Sequence, residues 1–143
     1  MIQILFPLAI TLAVETAIYM LLKWGDLKLF IVASLLNLVL NPLMNILLGL
    51  TTNQTSYNVL LISYEIGTTI LEGVIIILVC RFKPWKTMLF AFLANGASLL
   101  VGLVLQPVYQ TRVTIIVLTI VFTLIYVAIA VVTLILHTKK RTN

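Results

Sequence analysis

Residues 59–80, VLLISYEIGTTILEGVIIILVC, form an apolar run long enough to cross a bilayer as a helix, yet the run holds two carboxylates, Glu65 and Glu72. A third, Glu15, lies within the apolar run 2–22, so three of the four acidic residues sit inside such runs while all nine Lys and Arg lie outside them. A carboxylate at membrane depth is costly unless it is protonated, paired or ion-bound, which makes each a candidate functional residue. No basic side chain lies at matching depth to pair with them. The chain reads as a polytopic membrane protein with a polar core, and these residues leave its substrate open.

Composition agrees. The chain is 62% hydrophobic and 9% charged, against roughly 45–50% apolar and about 25% charged for soluble domains. Its 143 residues suffice for one helical bundle, a single transmembrane domain over 1–143 with no soluble part large enough to bury its own core. The net charge of +5 would suggest nucleic acid in a soluble protein. Here the basic residues cluster at span ends, where they set orientation and meet anionic headgroups, so the expected partner is the lipid bilayer and not nucleic acid. The single Cys80 excludes an internal disulfide, and no C-x-x-C pair or His/Cys cluster exists. No cofactor is expected, and whether a metal binds is left open.

Five spans follow, near 2–22, 29–50, 59–80, 87–105 and 113–136, joined by connections at 23–28, 51–58, 81–86 and 106–112, with 137–143 as a tail. Basic residues alternate across the connections: Lys23 and Lys28, then none, then Arg81, Lys83 and Lys86, then Arg112 alone, then Lys139, Lys140 and Arg141. Under the positive-inside rule this gives an all-α bundle with its N-terminus outside and its C-terminus inside. The first run is read as a retained span and not a signal peptide, because its charge follows the apolar stretch and Glu15 interrupts it. Pro84-Trp85-Lys86 combines a helix break, an interfacial aromatic and a cation, as at a headgroup boundary. Asn53-Gln54-Thr55 matches a glycosylation sequon but lies so close to the bilayer that chance explains it.

Helical spacing groups the buried polar residues. Glu65 and Glu72 share one face of the third span, about 10 Å apart along the axis. Asn37, Asn41 and Asn45 form a stripe at spacing four in the second, and Asn95 and Ser98 share a face of the fourth. Counted inward from level outer ends at about 1.5 Å per residue, Glu15, Asn37 and Glu72 fall near one depth, Asn41 and Asn95 at a second, and Glu65 and Ser98 at a third. If the stripes converge, they form a column. Pro42 frees the carbonyl of Leu38 as a further ligand for water or a cation. Ala94, Ser98 and Gly102 offer a small-residue face for close helix approach. The fifth span, with Thr114, Thr119, Thr123, Tyr126 and Thr133, is expected at the periphery.

The order Glu15, then Asn37-x-x-x-Asn41-Pro42, then Glu65-x6-Glu72, then Asn95-x-x-Ser98 resembles small multispan bacterial membrane proteins of no assigned function, over roughly residues 15–102. That resemblance implies a bacterial cytoplasmic membrane and no activity. Glu15 with Met20-Leu21-Leu22-Lys23 also resembles small multidrug transporters, whose first-span Glu binds protons and cationic drugs. Those proteins have four spans and lack the paired Glu of the third.

The leading expectation is transport or binding of a proton, a metal cation or a small cationic substrate by Glu15, Asn37, Asn41, Glu65, Glu72, Asn95 and Ser98, with Glu72 central. The second is an accessory subunit whose Glu residues pair with a basic partner membrane chain, or a homo-oligomer. The third is an intramembrane acid/base enzyme, although no catalytic residue is assigned: the one His, His137, lies in the tail, and no Ser-His or Cys-His pair exists at depth. Polar glue between helices is the structural alternative for every one of these side chains. The topology is directly testable. A cysteine introduced at Asn53 should be labelled from outside by an impermeant reagent and one at Lys139 should not; the reverse pattern would overturn the orientation.

Overall fold

The computed structural model describes residues 2–50, 53–105 and 111–142. They form five helices: α1 (Ile2–Leu22), α2 (Leu27–Gly49), α3 (Gln54–Cys80), α4 (Pro84–Leu105) and α5 (Arg112–Thr142). All five are long and apolar enough to cross a membrane.

Local chemistry sets the boundaries. Asp26 caps α2, its Oδ1 accepting from the Leu29 amide at 3.0 Å while Oδ2 pairs with Lys23 Nζ at 2.8 Å. Burial pushes this carboxyl up, but the hydrogen bonds from Lys23 and the Leu29 amide and the Lys23 charge outweigh it and hold it below the ordinary range. The cap therefore acts at neutral pH and is lost as pH falls through that lowered value. Gly25 turns the chain just before it at φ +73. Pro84 starts α4 instead of lying in the connection as a break, because a first helical residue needs no amide donor. Residues 54–58, expected in a connection, belong to α3, and the expected tail continues α5 to Thr142. Hydropathy falls off at the bilayer surface, whereas backbone hydrogen bonding does not. Lys140 also ties the α5 end down, its Nζ donating to the Trp24 carbonyl at 3.0 Å. The expected fourth connection lies mostly outside the described residues.

Helices α1, α2, α3 and α4 pack in that order as a ring, each touching the next and α4 closing back on α1. Helix α5 lies outside the ring, along α1 and touching α2, with no contact to α3 or α4 among the described residues. The odd-numbered helices run one way and α2 and α4 the other, so Lys23, Lys28, Arg81, Lys83, Lys86, Lys139, Lys140 and Arg141 gather at one end of the bundle and Arg112 at the other. The core is built from Tyr19, Met20, Leu29, Phe30, Ala33, Ile76, Ala91 and Ala94.

As expected, α5 is peripheral to the ring, yet it is firmly seated. Phe30 stacks on Tyr126 at 5.6 Å, and buried Thr133 bonds Met20 Sδ at 3.7 Å. Outward faces carry exposed Val39, Leu78, Leu100, Val104 and Leu124, apolar surface suited to lipid. On α3, Gly73 lets α4 approach: a Cβ there would collide with Met88.

Glycines at constrained and open positions give a paired test. A Cβ at Gly25 would meet the Leu136 Cβ at 2.9 Å in a left-handed backbone, itself worth about 1–2 kcal/mol. Gly67 has open space around it. Thermal unfolding of the detergent-purified protein should show Gly25→Ala several degrees below wild type and Gly67→Ala equal to it or above.

Candidate functional site

The ring encloses the polar residues of all four helices. Glu15, Asn37, Asn41, Glu72, Asn95 and Ser98 are buried, and Glu65 is half-buried. Glu72 Oε2 accepts from Asn95 Nδ2 at 2.8 Å and from the Tyr19 hydroxyl at 3.1 Å. Glu15 Oε1 accepts from Ser98 Oγ at 2.6 Å. Asn37 lies alongside the Glu15 carboxyl, but among the described residues no donor reaches Glu15 Oε2 within hydrogen-bond geometry. That oxygen belongs to a side chain 1% exposed.

Two cavities adjoin these carboxyls. An inner one of about 20 Å³ is lined by Thr11, Glu15, Asn37, Leu40, Asn41, Met44, Glu65, Thr68, Glu72 and Asn95. A vestibule of about 330 Å³ lies between the N-terminal halves of α1 and α3 and the C-terminal halves of α2 and α4, at the end remote from the basic cluster. Phe6, Ile10, Leu48, Leu61 and Leu99 give it apolar walls, and Asn45, Asn58 and Ser98 add polar groups. Thr11, Asn41, Met44 and Glu65 line both cavities, so they form the neck between them. Among the described residues no Lys or Arg lines either.

The expected layers do not hold for α4. Counting from level helix ends puts Asn95 beside Asn41 and Ser98 beside Glu65, whereas Asn95 meets Glu72 and Ser98 meets Glu15. The helix ends are staggered, and the register follows the donors that satisfy buried carboxylates. The carbonyl freed by Pro42 lies apart from these two cavities. Helix α2 runs unbroken through Pro42, and neither Pro42 nor Leu38 lines a cavity. The small-residue face of α4 divides: Ala94 and Ser98 are buried in the ring, while Gly102 lines the vestibule, where a Cβ added to it would meet nothing within 4 Å. Asn45 donates to the Asn41 carbonyl at 2.9 Å and to its Oδ1 at 3.0 Å, bracing the neck.

Sequence reasoning missed Tyr19, Thr11 and Thr68. Thr11, Glu15 and Tyr19 stand at spacing four, and Thr68 lies between Glu65 and Glu72 on their face, so helical periodicity carried the signal. Apolar context hid it. Among the described residues no three His, Cys, Asp or Glu side chains come together as a metal site. Compared with known protein families, curated proteins and solved structures, the chain matches none.

The Glu15–Ser98 contact can be measured. A double-mutant cycle with Glu15→Leu and Ser98→Ala on the unfolding of the purified protein should give a coupling of about 0.6 kcal/mol or more, the average for interhelical bonds in membranes. Zero coupling would mean the bond contributes nothing.

Proposed function

We propose that this is an integral protein of a bacterial cytoplasmic membrane, N-terminus outside and C-terminus inside, that binds and moves a proton or small cation through its carboxyl column. The observation that carries this reading is a vestibule joined through Glu65 to an inner cavity faced by Glu15 and Glu72, with no basic residue on either wall. Acidic walls of low polarity concentrate cations and repel anions. Intramembrane carboxyls on such a path are typical proton carriers or cation ligands. A wide mouth narrowing to a water-sized chamber also supports passage over simple packing, which leaves no such connected space.

Two alternatives draw less support. An assembly subunit would present its carboxyls to a partner's Lys or Arg, but Glu15 and Glu72 are 1% and 2% exposed and are engaged by Ser98, Tyr19 and Asn95 inside the chain. Co-purification of a stoichiometric basic membrane chain would favour it. For acid/base catalysis, the inner cavity has no room for a substrate beside Glu72.

Glu72→Gln preserves shape and keeps an acceptor for Tyr19 and Asn95 while removing the charge. In reconstituted vesicles carrying a pH-sensitive dye, wild type should exchange protons for cations. Uptake should weaken as pH falls, because protonation removes the charge that the cation binds. The variant, folded as wild type, should lose the exchange. Full activity with unchanged pH dependence would reduce the column to structural glue.

A further inference from the structure

We propose that the inner cavity is a binding site for one dehydrated monovalent cation of sodium size, held by Glu15 and by neutral oxygens of Thr11, Asn37 and Thr68. This deepens the reading above and rests on it, naming the occupant of the chamber.

Size comes first. A cavity of about 20 Å³ holds one water-sized occupant, since roughly 10–15 Å³ is needed for a water. A hydrated ion does not fit, so an ion that enters must exchange its water shell for protein oxygens.

The lining is built to supply oxygens. Thr11 Oγ1 donates to the Pro7 and Leu8 carbonyls at 2.8 and 3.1 Å. Thr68 Oγ1 likewise faces the Tyr64 and Glu65 carbonyls at 2.9 and 3.2 Å. Each hydroxyl hydrogen is thus committed to its own helix, and each hydroxyl keeps its lone pairs for the cavity. Asn95 Nδ2 gives its two hydrogens to Glu72 and to the Ala91 carbonyl. Asn37 Nδ2 donates to the Ala33 carbonyl at 3.2 Å, which leaves its amide oxygen as an acceptor. Glu15 lines the same space, and its Oε2 has no hydrogen-bond donor among the described residues. A chamber of acceptors suits a cation and repels an anion.

Charge selects the valence. Glu72 Oε2 is engaged by Tyr19 and Asn95 and Glu65 stands at the neck, while Glu15 Oε2 has no donor among the described residues. Three carboxylates around so small a chamber repel one another, which favours a single negative charge, and one charge with neutral oxygens balances a single positive ion. A divalent ion would draw on several carboxylates, and although Glu15, Glu65 and Glu72 all line the chamber, among the described residues no three acidic groups converge closely enough to hold a metal ion together.

The test uses the full-length protein in detergent, with radiolabelled sodium binding and thermal unfolding measured at constant ionic strength in choline chloride. Sodium should bind saturably and raise the unfolding midpoint, with potassium and choline doing neither. Glu15→Gln should abolish both effects. Thr68→Val, which removes one oxygen and no charge, should weaken sodium binding about tenfold or more, as losses even of a supporting contact cost 10–100-fold. Ser63→Ala, on the exposed face of α3, should leave binding unchanged. Equal responses to sodium, potassium and choline, no saturable binding, or full binding in a folded Thr68→Val would overturn the assignment and leave water and protons as the occupants. If sodium fails while Glu72-dependent proton exchange persists, the cation site falls and the transport reading stands; loss of both removes both.

Discussion

Two carboxyl groups are buried and a third half-buried in an apolar bundle, with no basic side chain lining their cavities among the described residues, and the rest of the arrangement answers to that constraint. Such groups must find donors within the protein, and the donors must come from other helices because each helix uses its own backbone amides internally. Tyr19 of α1 and Asn95 of α4 converge on Glu72 of α3, while Ser98 of α4 reaches Glu15 of α1. The Tyr19–Glu72 bond links α1 to α3 across the ring, where the two backbones do not otherwise approach among the described residues. The Asn95 and Ser98 contacts also fix the register of α4. Sliding it by one turn would leave both carboxylates without their amide and hydroxyl partners.

Satisfaction is uneven, and the unevenness carries chemical meaning. Glu72 accepts two donors on one oxygen, whereas Glu15 keeps one buried oxygen without a donor among the described residues. Buried polar groups are paired in the great majority of proteins, so the Glu15 oxygen without a donor is the exception on which the proposed cation site rests. Thr11 and Thr68, which line the same chamber, donate their hydroxyl hydrogens to carbonyls of their own helices. Asn or Gln in place of Glu would hold the helices together without a charge to stabilise.

The fold places the work unevenly among its helices. Helix α1 touches α2, α4 and α5, and it contributes Thr11, Glu15 and Tyr19 from one face. Helix α5 supports α1 from outside through Thr133, Tyr126 and the Lys140 tie to the α1–α2 turn, leaving the ring free to hold cavities. At the basic end the bundle is closed by the Asp26 cap and the Gly25 turn. At the other end small side chains such as Gly102 leave open volume. One end is packed and one end is porous.

Sequence alone determined the five apolar helices, because length and hydropathy dictate them before any contact forms. It also determined which polar residues share a face, since helical periodicity is local: Glu65 with Glu72, Asn37 with Asn41, Asn95 with Ser98. It could not determine which donor meets which carboxylate. That depends on the stagger of neighbouring helices, and counting from level ends misplaces Asn95 and Ser98 against their partners. Nor could it reveal Tyr19 as a donor, the neck made by Met44 and Asn41, or the volume beside Gly102, because a cavity is a property of side chains from several helices at once. Periodicity is written along one chain segment; enclosure exists only after four segments have packed.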